Sequence, residues 1–478
     1  MTIKLSGTEG ISSTDGTVSN PSIKSISYGN TSGVFFPSTN TVGIATSGVQ
    51  AIAIAADQKV GIGTSSPAYT LDVSGNARVT GDIIPSSQFS NRNRLINGDM
   101  RINQRAASYT ITTANQYTID RWLVATGANA LGAVVNVTRA PTSTPGGPAY
   151  ALRLTHTSGT LSSGAVAVYQ VIETINCIDL ASTAATTRQV TVSYKLRKSS
   201  GYTGLSVTPY LITGTGSDQG NAGGTSGTWT GRQSQNAVVT QVVGATILYA
   251  LAQASVSELS TSLFQTYTAT FTVPIATAEM MIYFTFDGMN GVGSATNYID
   301  ITDIQLEPGS NATPFERLPF QMQVQACQRY YSKCSDLDVY PVDGAAYNAA
   351  GMYISGVMNS WTAGHGYVQT MNFPTTMRIK PNITFFRTKL STQGTAGYNS
   401  PGYAVGTAKN GSWDAYDPAL GWGSAYSTIL QSLTQTQFMA LMISYVHAAG
   451  SGGSPGTYIN WSAGPRLFYG GWTADAEL

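Results

Sequence analysis

Residues Tyr267–Val273 read Tyr-Thr-Ala-Thr-Phe-Thr-Val, with apolar side chains and threonines in strict alternation. A period of two sends alternate side chains to opposite faces of a strand, so this run is one half-buried β-strand. Gln189–Leu196 repeats the pattern, with Val190, Val192, Tyr194 and Leu196 alternating against Thr, Ser and Lys. Met281–Phe286 is nearly all apolar and predicts a central strand. In Tyr298–Leu306, Ile299 and Ile301 keep one phase while Ile304 and Leu306 keep the other, which predicts a β-bulge near Asp303. No helical pattern lies between these runs, so a sandwich or jelly roll is expected. Gly214–Gly231, long and rich in Gly, Ser and Thr, reads as a surface loop.

The composition agrees. Only 10% of residues are charged, against about 25% in an average soluble protein. Long surface helices, which use Glu and Lys, are therefore disfavoured, and the many Gly, Ser, Thr and Asn suit tight turns. Aromatics make up 10% and the net charge is +1, which is not the signature of a disordered chain. That balance gives no electrostatic footprint for nucleic acid or an anionic membrane surface. Cys177, Cys327 and Cys334 form neither a disulfide framework nor a zinc spacing and read as reduced, structural residues. The start, MTIKLSGTEG, has no apolar core of a signal peptide, and no run approaches the roughly 20 apolar residues of a membrane helix. No membrane insertion, metal or cofactor is expected.

Residues 1–90 hold short apolar runs at Ile23–Ile26, Val34–Phe36, Val42–Ile44, Val49–Ala55 and Val60–Ile62, separated by Gly, Ser, Thr and Asn. Each is too short to close a core alone, and such segments gain stability when several chains bury them at a shared axis. The segment Val60–Ile83, VGIGTSSPAYTLDVSGNARVTGDI, resembles a repeat of phage fibre shafts and trimeric adhesins. Leu71, Val73, Ala77, Val79 and Ile83 are its apolar positions, and Gly75-Asn76 its turn. One copy implies a short stem. Leu71, Val73, Val79 and Ile83 are the residues expected to pack a trimer.

Asn91–Trp122 begins NRNRLINGDMRINQR and ends YTIDRW. These words resemble the opening of a jelly-roll domain, itself similar to a carbohydrate-binding module, in tail fibres and receptor-binding proteins of tailed phages. Ile301–Pro319, ITDIQLEPGSNATPFERLP, resembles the closing strand and exit of the same domain. Arg94, Arg101, Arg105 and Arg121 are expected to pair with Asp99, Asp120 or a neighbouring chain, since arginine suits bidentate pairing at interfaces.

Leu318–Lys333 is the helix candidate. Phe320, Val324, Cys327, Tyr331 and Cys334 recur at spacings of four and three, a heptad seam. Two readings stand: a helix lying on its own sandwich, or a neck on a three-fold axis. Met371–Phe385, MNFPTTMRIKPNITF, resembles a strand pair in the C-terminal tips of such fibres, and TADAEL, Thr473–Leu478, a common ending there.

No H-E-x-x-H or P-loop is present, and His156, His365 and His447 stand apart. Asp336/Asp338 and Asp414/Asp417 are the acid pairs that a polysaccharide-cleaving tailspike would need, and both sit in loop-like sequence. No catalytic residues are assigned. Sugar binding needs flat aromatic faces beside polar groups. The tip offers Trp361, His365 and Tyr367, then Trp413, Asp414 and Tyr416 after the turn signal Asn410-Gly411, then Trp422, Tyr426, Tyr458 and Trp461. The competing role for these aromatics is the core of a small trimeric tip.

The sequence therefore reads as mainly all-β. The expected order is a virion-attachment segment (1–59), a short intertwined β stem (60–90), a jelly roll (91–318), a connecting helix (319–334) and a C-terminal β-sandwich tip (335–478). The resemblance implies a homotrimeric tail fibre, assembled in the host cytoplasm. Its N-terminus would meet tail proteins (baseplate, adaptor or nozzle), and its tip would meet surface polysaccharide or lipopolysaccharide. A head-decorating capsid fibre and a polysaccharide depolymerase are the alternatives.

Overall fold

A computed structural model of the chain describes residues 15–24, 31–77, 91–112, 115–126, 131–142, 147–160, 166–202, 204, 206–219, 229–236, 239–243, 246–251, 254–255, 259–287, 294–340, 345–346, 366–386, 388–389, 410–417, 421–444, 467–469 and 471–477. The strands over 236–255, 366–369, 385–433, 438–444 and 467–471 are described by their backbone pairing. The chain forms two compact units, Met1–Ser86 and Ser87–Leu478.

The first unit is one six-stranded sheet in sequence order: β1 (Ile23–Lys24), β2 (Gly33–Phe35), β3 (Val42–Thr46), β4 (Val49–Ile54), β5 (Val60–Ile62) and β6 (Leu71–Val73). Within the single chain the short apolar runs pair with one another. The pairs are antiparallel except β5–β6, which is parallel. The register sets Ile23, Val34, Ile44, Ile52, Ile62 and Val73 in one unbroken row across all six strands. Val42, Ile54, Val60 and Leu71 form a second row on the same face. Between these rows the alternate residues are small. Gly43 lies under the Phe35 ring, where a Cβ would stand 2.5 Å from it, and Gly61 lies under the carbonyl of Thr64. That second face is closed, with Phe35, Ala45 and Ala53 buried. The aliphatic face stays open: Ile23 is 52% exposed, Ile62 42% and Leu71 61%. Val79 and Ile83 lie outside the described residues.

The second unit opens with β7 (Ser108–Ile111), β8 (Gln116–Tyr117), β9 (Leu123–Thr126), β10 (Leu131–Pro141), β11 (Tyr150–Thr160) and β12 (Val166–Ile172). It continues with β13 (Arg188–Lys198), β14 (Ser206–Gly214), β15 (Gln233–Asn236), β16 (Val239–Val243), β17 (Thr246–Leu251) and β18 (Ala254–Ser255). The sandwich closes with β19 (Gln265–Val273), β20 (Glu279–Asp287) and β21 (Tyr298–Pro308). Two sheets result, one in the order β17-β16-β19-β13-β21-β11-β10-β7 and one in the order β15-β14-β20-β12-β9-β8 with β18 beside β14. The alternating strands β13 and β19 pair with each other and turn Val190, Val192, Tyr194, Phe271 and their phase-mates into the core between the sheets. The all-apolar β20 is central, between β14 and β12, and is buried on both faces. The expected bulge is present: Asp303 has φ 48°, and the β13–β21 register shifts between Ser193 and Lys195.

The helix is shorter than the seam predicted. α1 covers Phe320–Gln328. Beyond it Tyr331–Lys333 becomes β22, because it pairs with the chain's last strand, Gly471–Asp475. Val324 and Cys327 pack on Ile102, with Ile96 and Leu337 beside them, so that part of the seam lies on its own sandwich. Tyr331 is buried on β22, and Phe320 is 45% exposed.

The C-terminal region adds β23 (Ala345–Ala346), β24 (Gly366–Asn372), β25 (Asn382–Phe386), β26 (Thr388–Lys389), β27 (Asn410–Asp417), β28 (Gly421–Leu433), β29 (Gln437–Ser444), β30 (Leu467–Tyr469) and β31 (Gly471–Asp475). A five-stranded sheet runs β24-β29-β28-β27-β30, and a three-stranded sheet runs β22-β31-β25. The strand pair expected in Met371–Phe385 therefore does not form: β24 and β25 belong to different sheets. The link between them is pinned instead, with Phe373 and Met377 donating their N–H groups to Thr436 and Gln435 and with Met377 wholly buried.

Candidate functional site

The opening and closing motifs meet in space. The Glu316 carboxylate accepts the main-chain N–H groups of Asn91, Arg92 and Asn93 at 2.6, 2.8 and 3.1 Å. Asn93 in turn accepts the Leu306 N–H and donates to the Ile304 carbonyl. A carboxylate taking several main-chain N–H groups is a strong, charge-assisted anchor.

The arginines of the opening stretch find partners other than those expected, apart from Arg101, which pairs with Asp99 at 2.5 Å. Arg94 pairs with Asp179. Arg105 pairs with Asp475 at 2.7 Å and Glu477 at 2.9 Å, and its guanidinium lies 3.9 Å over the Tyr331 ring. Arg121 pairs with Glu477 and stacks 3.5 Å over Tyr330. Asp120 is taken by the Gln104 main chain and amide instead. Burial pulls the Arg121 pKa down, but Glu477, Tyr330 and Tyr117 outweigh it and the net shift is upward. Burial raises the Asp120 pKa, against the opposing pull of Arg105 and Gln104. This buried seam locks the last strand, and with it the tip, to the first segment of the jelly roll.

The face of the β14-β20-β12-β9-β8 sheet that points away from the core carries an aromatic row. Tyr210, Tyr283, Tyr169, Leu123 and Tyr117 are direct cross-strand partners in that order. Tyr169 and Tyr283 stack at 5.3 Å, and Tyr210 meets Tyr283 edge-on at 6.4 Å. Such a row could serve sugar, but it is closed. Trp229 and Tyr330 join the same buried cluster, Ile96 packs against it, and Tyr169 has no exposed surface. The sequence offered no sign of this row, because it exists only once the strand order is known.

In the tip, the β27–β28 hairpin places Trp413 opposite Tyr426 and Tyr416 opposite Trp422 as Cα partners. Four of the proposed aromatics thus form two cross-strand partnerships, with a register shift and the Ala415–Gly423 partnership between them. Asp414 is the partner of Tyr469 on β30. Asn410-Gly411, expected as a turn, opens β27 instead, and Asp414 and Asp417 stand on that strand rather than in a loop. Tyr367 lies on β24, the far edge strand of the sheet, opposite Met442. Trp361, His365, Tyr458 and Trp461 lie outside the described residues. Of the other acid pair, Asp338 binds Arg139 at 2.7 Å.

No protein-family model and no curated protein matches the chain. Among solved structures it is similar to the xylan-binding domain of Paenibacillus barcinonensis Xyn10C. That match has 10% identity and a TM-score of 0.21, over 43% of this chain and 95% of that chain. It is also similar to modules of the Clostridium thermocellum endo-1,4-β-D-xylanase 10B complexed with xylohexaose, at 9% identity and a TM-score of 0.25. That match covers 45% of this chain and 30% of the xylanase chain. A third is the enzymatically active domain of tailspike protein 4 of bacteriophage CBA120, at 13% identity and a TM-score of 0.21, over 45% of this chain and 21% of that chain.

Proposed function

We propose that the chain is an attachment fibre of a tailed phage, and that it adheres to host-surface glycan through the β27–β28 hairpin of its tip. The observation that carries the reading is the register of that hairpin, Trp413 against Tyr426 and Tyr416 against Trp422. Sugar recognition uses apolar ring faces for the C–H side of a pyranose, and this hairpin carries four aromatic residues in two cross-strand partnerships. The closed aromatic row of the jelly roll supports giving that domain the part of a rigid spacer.

The same reading assigns a homotrimer, joined through the open aliphatic face of the first unit. A contiguous apolar face on one chain is the surface that association covers. Weak single sites gain avidity when three tips bind one surface together. The N-terminus would hold the tail. The experiment is binding of the purified chain to immobilised bacterial polysaccharides, beside a Trp413→Ala/Trp422→Ala variant. Binding that the variant loses supports the reading, and unchanged binding by the variant refutes the tip assignment.

A further inference from the structure

Among the described residues, ten that are not glycine have a positive φ, and five of the ten fall in one hydrogen-bonded network. Asn91 has φ 55°, Asn97 59°, Met100 60°, Arg121 71° and Asp303 48°. Asparagine and aspartate tolerate the left-handed region, whereas methionine and arginine rarely enter it. Met100 and Arg121 are both buried, so packing and pairing hold them there. Arg121 is the third residue of the turn that the Trp122 N–H closes on the Ile119 carbonyl at 2.8 Å. When φ is positive at that position, glycine is the usual occupant. Strain of this kind persists only where the surroundings over-determine the backbone, and it gathers at switch regions.

The network runs from the last strand to the first described residues of the second unit. At one end Glu477 pairs with Arg121, whose guanidinium also donates to the Val171 carbonyl at 2.7 Å. The turn then passes to the opening motif. The Trp122 indole donates to the Asn97 carbonyl at 2.9 Å, and the Asn97 side-chain amide donates to the Asp120 carbonyl at 3.0 Å. The next residue, Gly98, accepts the Ile304 N–H beside the Asp303 bulge. The Ile304 carbonyl accepts the Asn93 amide at 3.2 Å, and Glu316 takes the main-chain N–H groups of Asn91, Arg92 and Asn93. In sequence, Asn91 follows closely on Ser86, where the first unit ends. Asn97, Met100, Trp122 and Ile304 along this route are at most 1% exposed, and a close-packed interior transmits displacement.

We propose that this network is a conformational relay, in which the seating of the last strand on Arg121 and the hold of the closing segment on Asn91–Asn93 form one coupled equilibrium. In the seated state Glu477 neutralises Arg121 and the turn keeps its left-handed residue. In the released state β31 lifts from β22, Arg121 loses its counter-charge and the turn relaxes. The Trp122–Asn97 and Gly98–Ile304 hydrogen bonds then loosen, and with them the anchorage of the segment that enters from the first unit. The entry segment thereby registers whether the tip's last strand is in place. Use of the relay during attachment rests on the fibre reading. The coupling itself does not, and it is tested without any glycan.

Amide hydrogen exchange of the intact chain, read by mass spectrometry, provides the test. Glu477→Ala is expected to speed exchange about tenfold at the Arg94, Trp122 and Ile304 amides, while the paired amides of β19 and β20 keep their wild-type rates. Should that variant fail to fold, Glu477→Gln removes the charge at nearly constant volume and is read in the same way. Coupling is reciprocal. Glu316→Ala, at the other end, is therefore expected to speed exchange of the Ala476 amide, which donates to the Tyr330 carbonyl at 2.7 Å. In an Arg121→Gly background, Glu477→Ala should leave the Ile304 rate unchanged, because the link through the turn is already cut. Faster exchange confined to 330–333 and 471–477 would overturn the relay. So would a uniform rise that includes β19 and β20, a Glu316→Ala chain with an unaltered Ala476 rate, or a Glu477→Ala effect that survives Arg121→Gly.

Discussion

Gly98 of the opening motif and Ile304 of the closing strand lie backbone to backbone. Ile304 donates its N–H to the Gly98 carbonyl at 2.9 Å, and a Cβ on Gly98 would stand 2.0 Å from the Ile304 oxygen. The contact falls at the bulge where Asp303 takes φ 48°. The bulge turns the Ile304 amide out of the β13–β21 ladder, and Gly98 receives it. Gly98→Ala is therefore expected to cost about 3 kcal/mol or more, through backbone displacement at a buried contact. Urea unfolding of both proteins measures it, and a loss under about 1 kcal/mol would mean the two segments separate easily.

The C-terminal seam separates two acids by burial. Glu477 is 4% exposed and faces Arg121, which is 1% exposed, whereas Asp475 is 39% exposed. Removing one partner of a buried pair leaves a charge stranded and costs about 3–5 kcal/mol, while an exposed pair is worth about 1 kcal/mol or less. Glu477→Ala should lower the melting temperature well beyond Asp475→Asn, for which Arg105 still has Glu477. Equal shifts in calorimetry would contradict the assignment.

Lys333 supplies a pH test. Burial, opposed by Asp120 and Asp338, pushes its ammonium down from 10.5 to about 8, while Nζ donates to the carbonyls of Leu337 and Val339. Between pH 8 and 10.5 the unfolded chain holds a proton that the folded chain has released. Stability then rises with pH across this window, and below it the burial cost of the charge is present in full. The difference in unfolding free energy between the wild type and Lys333→Met should therefore shift in favour of the wild type from pH 7.5 to 9.5. A difference independent of pH would place the titration elsewhere.

The aliphatic face of the first unit should be covered in solution. Light scattering is expected to give about three times the 50.2 kDa chain mass. Ile44→Asp with Ile62→Asp puts two charges on one cross-strand row through Ile52 and should yield monomer. A wild-type monomer would remove the shared-axis reading.

Much of the fold could be read from the residues, because it depends on period-two patterns and local phase. The alternation of β13 and β19, the apolar β20 and the bulge at Asp303 all appear where they were expected. What escaped depends on distant pairing. Arg105 and Arg121 were expected to meet Asp99, Asp120 or a neighbouring chain, and instead meet residues of the same chain more than 350 positions away. The heptad seam after Gln328 was overridden by pairing of Tyr331–Lys333 with the last strand. In the tip, aromatic content was legible while its register was not. Trp413 and Tyr426 become neighbours only through the hairpin.

The most direct test of the attachment reading is an array of bacterial surface polysaccharides probed with the intact chain and with Trp413→Ala/Trp422→Ala. The account predicts retention on at least one polysaccharide and loss of that signal in the variant, whose mass and melting temperature stay unchanged. A folded chain that binds no polysaccharide, or a variant that binds as the wild type does, would contradict it.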